Sequence, residues 1–90
     1  MIVYAHATQK EFDAYGDLWI RANARVYPAA ARHIAIVAPT KFQLAYLAAT
    51  STEYTISTDK HLCRWRNLPV GIKYLNDRSI LCTSISTVPT

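Results

Sequence analysis

Glycine is nearly missing from this chain of 90 residues: only Gly16 and Gly71 occur. A phosphate-binding loop generally needs glycine so that backbone can approach the ligand, and nucleotide binding of the common kinds is not expected. Cysteine is equally sparse. Cys63 and Cys82 are too few for a disulfide framework and lack C-x-x-C spacing. They read as two partly buried thiols in a reducing compartment, with a bridge between neighbouring strands as the alternative. Long hydrophobic runs are lacking too. Segments such as Ile34–Ala38 and Leu44–Ala49 fall far short of the ~20 residues a membrane-spanning helix requires. No basic residue precedes Lys10, so a secretory signal is not expected. These absences together favour a cytoplasmic protein with no membrane partner.

What is present describes one small globular domain over residues 1–90. The hydrophobic fraction is 51% and the charged fraction 18%, the balance of a folding chain and not of a disordered one. A chain of this size buries roughly 60–65% of its unfolded surface, which allows one core. The net charge is +4, from ten Lys and Arg against six Asp and Glu. The basic residues are scattered, and only Arg64 and Arg66 form a tight pair. Such a bias suits solubility or steering toward an acidic protein, and it is a weak argument for phosphate-backbone binding.

Thr8 to Tyr27 is the best-specified stretch. Phe12, Tyr15, Trp19, Ala22 and Val26 advance by three and four residues, which places them on one helical stripe directed at the core. Thr8 and Glu11 have capping-box spacing, and Pro28 ends the run. On the other face Asp17 and Arg21 are spaced as an ion pair, with Lys10, Asp13 and Arg25 beside them. Gly16 inside the helix should cost about 1 kcal/mol relative to alanine, explained either by close approach of another backbone or by simple tolerance.

Before that helix, Met1 to Ala7 reads as a strand. Ile34 to Ala38 reads as a second buried strand ended by Pro39, with a continuous helix from Pro28 to Val37 as its competitor. Thr40 and Gln43 then repeat the capping-box spacing ahead of another helix. Superposed, Ile2 matches Ile34 and Thr8 matches Thr40. The pattern implies strand–helix–strand–helix and parallel pairing through a right-handed crossover.

After Ser51 the residues alternate. Glu53–Thr58, His61–Asn67, Val70–Tyr74 and Ile80–Ile85 read as strands, with Asn76–Ser79 as a turn. The expected fold is α+β: two strand–helix units, with helices at about 9–27 and 41–50, followed by an antiparallel β-meander. One mixed sheet would carry the helices.

Few constellations carry chemistry. In a parallel pair, His6, Thr8 and Thr40 share the edge where strands end and helices begin, a candidate anion site. His61 and Cys63 would share a strand face, without the third group that orients a catalytic pair. No pair has zinc-finger spacing, so no metal is assigned, and no cofactor is implied. Arg64, Trp65 and Arg66, with Tyr74 on a nearby strand, combine the residue types enriched in interface hot spots.

The reading is of a non-enzymatic interaction protein that blocks or adapts a larger macromolecule. Its size and lack of chemistry are those of accessory proteins from phages and other mobile elements. Arg64, Trp65, Arg66 and Tyr74, with Arg21 and Arg25 on the helix, would meet a protein with an acidic surface. The alternative is a nucleic-acid-binding module using the same basic and aromatic residues. Edge strands also make a homodimer through the sheet feasible.

Overall fold

The computed structural model describes residues 1–57 and 80–90. Four strands form one sheet: β1 (Ile2–Thr8), β2 (Ala31–Val37), β3 (Glu53–Ser57) and β4 (Ile80–Cys82), in the order β3-β2-β1-β4. Every pairing is parallel. Ala5 stands beside Ile34, Ile34 beside Tyr54, and Tyr4 beside Cys82. The first helix occupies residues 9–26 and the second Lys41–Ala49. Each ends one residue before its expected limit.

The expected α+β fold, with its antiparallel meander and mixed sheet, is therefore overturned for the described strands, which form the all-parallel sheet of an α/β domain. The second helix returns the chain to the starting edge of the sheet, so β3 must run parallel to β2, just as β2 runs parallel to β1. The alternation after Ser51 reflects a half-exposed strand at a margin, and carries no information on direction. The closing strand is also shorter than expected: it stops at Cys82, and the tail turns onto the helical side. The strands expected at 61–67 and 70–74, and the turn at 76–79, lie outside the described residues.

Both helices cover the same face of the sheet. Val3, Ala5, Ala7, Ile34 and Ile36 form one core with Phe12, Trp19, Ile20, Leu47 and Ile85. The two connections advance in one direction across the sheet, and same-handed crossovers leave their helices on one side. The strand reading of residues 34–38 holds, shifted to Ala31–Val37, over its helical competitor. Its apolar run sits between β1 and β3, where burial on both faces removes any alternation.

The first helix departs from the expected stripe for a local reason. Residues Phe12–Gly16 form a π-helical turn between α-helical Gln9–Glu11 and Asp17–Val26. A π turn holds more residues than an α turn, so the residue that follows Phe12 on the buried face is Gly16 and not Tyr15. Phe12, Gly16, Trp19, Ile20 and Asn23 are buried, whereas Tyr15 is 44% exposed. Tyr15 thus leaves the core to which the spacing assigned it. Gly16 is required by neither of the two expected causes. The Phe12 ring lies over it, so close that an added Cβ would sit 2.8 Å from two ring carbons.

Trp19 takes its expected place against the sheet, fully buried, and its indole Nε1 donates to Thr83 Oγ1 at 2.8 Å. Removing a large buried aromatic of this kind typically costs about 3–5 kcal/mol.

Candidate functional site

Open parallel sheets bind ligands outside the carboxyl ends of their strands, where the strand order reverses. Here the reversal lies between β1 and β4. Just past β4 the tail packs against the middle of β1 and the first helix. Thr83 N–H donates to the Tyr4 carbonyl at 2.8 Å, the Thr83 hydroxyl accepts from Trp19, and Ile85 enters the core. Among the described residues, one concavity is lined by Met1 and residues 27–30, and a larger one lies between the two helices.

That cleft follows from the two capping boxes. Thr8 Oγ1 accepts from Glu11 N–H at 3.2 Å and Glu11 Oε1 accepts from Thr8 N–H at 2.9 Å. Thr40 and Gln43 repeat the exchange at 3.1 and 2.9 Å. The two helix starts are then tied together. Gln9 Nε2 donates to the Ala38 carbonyl at 2.8 Å, and Gln43 Nε2 donates to the Gln9 carbonyl at 3.0 Å and to Asp13 Oδ1 at 2.8 Å. One turn further on, the Tyr46 hydroxyl donates to Asp17 Oδ1. The Tyr46 ring meets Phe12 edge-on, with centroids 6.3 Å apart.

Between these contacts opens a cleft of about 470 Å³, within the range typical of ligand sites. Phe12, Phe42 and Tyr46 line it with rings, Asp13 and Asp17 with carboxylates, and Thr40 and Gln43 with neutral polar groups. The Tyr46 hydroxyl holds the Asp17 carboxyl below its ordinary value, partly opposed by burial and supported by the lesser influence of Arg21. The same bond, helped by burial, pushes the Tyr46 phenol above its ordinary value. Carboxylate and phenol each keep their usual neutral-pH form more firmly for being paired.

The residues singled out in the sequence fall in three places. Arg21 and Arg25 are exposed on the outer face of the first helix, one turn apart, and Arg21 pairs with Asp17 at 3.2 Å. Leu18 precedes them on that face at helical spacing and is 59% exposed. His6, Thr8 and Thr40 lie near the carboxyl edge. Both threonine hydroxyls and both cap N–H groups are engaged in the capping boxes, and Glu11 brings a negative charge to the first helix start. His6 is exposed and alternates with the core residues Ala5 and Ala7, so it projects from the face opposite the helices. Arg64, Trp65, Arg66 and Tyr74 lie outside the described residues, as do His61 and Cys63.

Two features escape a reading of the sequence. The first is the cleft itself, because Phe42 reads as one of the apolar residues of its helix and yet is 75% exposed. Its position two residues after the Thr40 cap, in the first turn and one residue before the capping Gln43, is the available signal. The second lies on the far face of the sheet. The parallel register sets Tyr4, His33 and Glu53 in a transverse row, and only the register reveals it.

In that row the Tyr4 and His33 rings stack with centroids 5.6 Å apart. His33 Nε2 lies 2.8 Å from Thr55 Oγ1, and Nδ1 lies 3.6 Å from Glu53 Oε2. The order hydroxyl–imidazole–carboxylate is that of a nucleophilic triad. However, the imidazole is buried and its carboxylate stands beyond hydrogen-bond length. The arrangement anchors a buried polar ring between strands.

Among the described residues, no group of three His, Cys, Asp or Glu side chains is placed to hold a metal ion. Nor is any described helix long and apolar enough to cross a membrane. Comparison with known protein families, curated proteins and solved structures finds no match to this chain.

Proposed function

We propose that this chain is a small interaction protein without enzymatic chemistry, which binds a larger protein and blocks or adapts it. The outer face of the helical layer is the contact surface. One observation supports this reading above others: large apolar side chains stand in solvent beside unburied arginines. Leu18 and Tyr15 are exposed on the helix that carries Arg21 and Arg25, and Phe42 is exposed on the second helix. Aromatic side chains and arginine are enriched where partners bury surface, and an apolar group that gains nothing in the free chain gains on docking. The arginines suit an acidic surface on the partner, as accessory proteins of phages and other mobile elements often require.

The test is affinity capture from the native host, with and without nuclease, using the natural chain and a Leu18→Ser, Arg25→Glu variant. The expected result is a protein retained despite nuclease and lost on substitution, while the melting temperature stays nearly unchanged. Equal capture by the variant removes this face from the interface. Retention abolished by nuclease replaces the protein partner with nucleic acid.

A further inference from the structure

We propose that the cleft between the two helices receives one arginine side chain presented by the partner polypeptide. This rests on the interaction reading above and names the chemistry of the residue that enters. On a chain of net charge +4, the described residues that line the cleft include two carboxylates and no basic side chain. Charges beyond roughly 10 Å are screened at ordinary ionic strength; within that range Arg21 already balances Asp17, and Asp13, which meets only the neutral Gln43 amide, is the carboxylate left to attract a cation.

The surrounding rings select among cations. A guanidinium can lie flat against an aromatic face while its N–H groups reach a carboxylate, whereas an ammonium offers only a point charge. Phe42 already attracts a cation: Lys41 Nζ stands 5.5 Å from its ring centroid. Asp17 is already guanidinium-bound, through Arg21 of its own helix at 3.2 Å. Asp13 uses Oδ1 for Gln43, which leaves Oδ2 for the incoming group. Gln43 is buried and tied to both helices, so the Asp13 carboxylate is held in place before the ligand arrives. Prepositioned acceptors lose less entropy on binding than mobile ones.

The test is an NMR titration of the full chain with a blocked Gly-Ser-Arg-Ser-Gly peptide, alongside otherwise identical peptides carrying lysine or citrulline. Citrulline keeps the shape of arginine and removes its charge. The expected result is movement of the Gln43 side-chain amide and Tyr46 signals, weaker with lysine and reduced about tenfold or more with citrulline. Asp13→Asn keeps an acceptor for Gln43 and removes the charge; it and Phe42→Ala should each weaken arginine binding about fivefold or more. Equal binding of citrulline, no shifts at millimolar arginine peptide, or variants within about twofold of the natural chain would each overturn the proposal. Peptide failure alongside intact capture through Leu18 and Arg25 overturns the arginine occupant and leaves the interface reading standing. A shift on self-association, without peptide, assigns the cleft to a second copy and also overturns it.

Discussion

Replacing Gly16 with alanine sets two effects of opposite sign against each other. Alanine is the better helix former by about 1 kcal/mol, so in an open helix the change stabilises. Here the new methyl would sit 2.8 Å from Phe12 Cδ2 and Cε2 and 3.0 Å from Cγ, inside van der Waals contact. The ring cannot simply rotate into solvent, because Phe12 is buried in the core and set edge-on to Tyr46. Relieving such overpacking costs about 1–3 kcal/mol. The steric cost outweighs the gain in helix propensity, and Gly16→Ala should destabilise by about 1 kcal/mol net. Urea denaturation followed by circular dichroism measures it. A Phe12→Ala background supplies the control, since alanine lacks every atom that collides. There Gly16→Ala should become neutral or stabilising, a coupling of about 1–2 kcal/mol between the sites. If Gly16→Ala alone raises stability by the full propensity gain, the ring yields freely and the steric role of this glycine is refuted.

Two further outcomes follow from local geometry. Ser51 holds a φ of 55° just after the second helix, where Ser51 N–H donates to the Ala48 carbonyl and Thr52 N–H to the Leu47 carbonyl. That is a left-handed C-terminal cap in which glycine fits without strain, so Ser51→Gly should stabilise by about 1 kcal/mol in thermal denaturation; a loss would show that the serine side chain matters there. Tyr46→Phe should let the Asp17 carboxyl titrate at higher pH, because its main lowering influence is removed. The signs run in opposite directions for the two partners. Asp17 is depressed in the fold, so its contribution is present above 3.8 and fades as pH falls through the folded value. Tyr46 is raised, so its contribution is present below 10.0 and fades as pH rises through the folded value. Carbon-detected NMR of the Asp17 carboxyl decides the matter, and an unchanged titration after Tyr46→Phe contradicts the pairing.

Much of the first half is legible because local rules agree there. Threonine and its partner three residues on define both helix starts, and the same boxes are present in the fold. The first helix nonetheless misleads in detail. A strict α spacing directs Tyr15 inward, and one π turn hands its place to Gly16. The superposition of Ile2 on Ile34 marks the repeated strand–helix order, which the fold has, and not the register. In the sheet Ile2 stands beside Ala31 and Ile34 beside Ala5, so an offset of three residues puts the two isoleucines on opposite faces.

Sequence by itself determined what depends on neighbours along the chain: the caps and the helix limits to within a residue. Only the tertiary structure decided the direction of β3 and β4, the row joining Tyr4 to His33 and Glu53, and the aromatic, acidic cleft between the helices. The physical reason is range. A capping hydrogen bond spans three residues and leaves its mark in their spacing. The direction of a strand is set by where the preceding crossover delivers the chain, and a cleft by how two helices lie against one sheet. Neither is written in the residues that result.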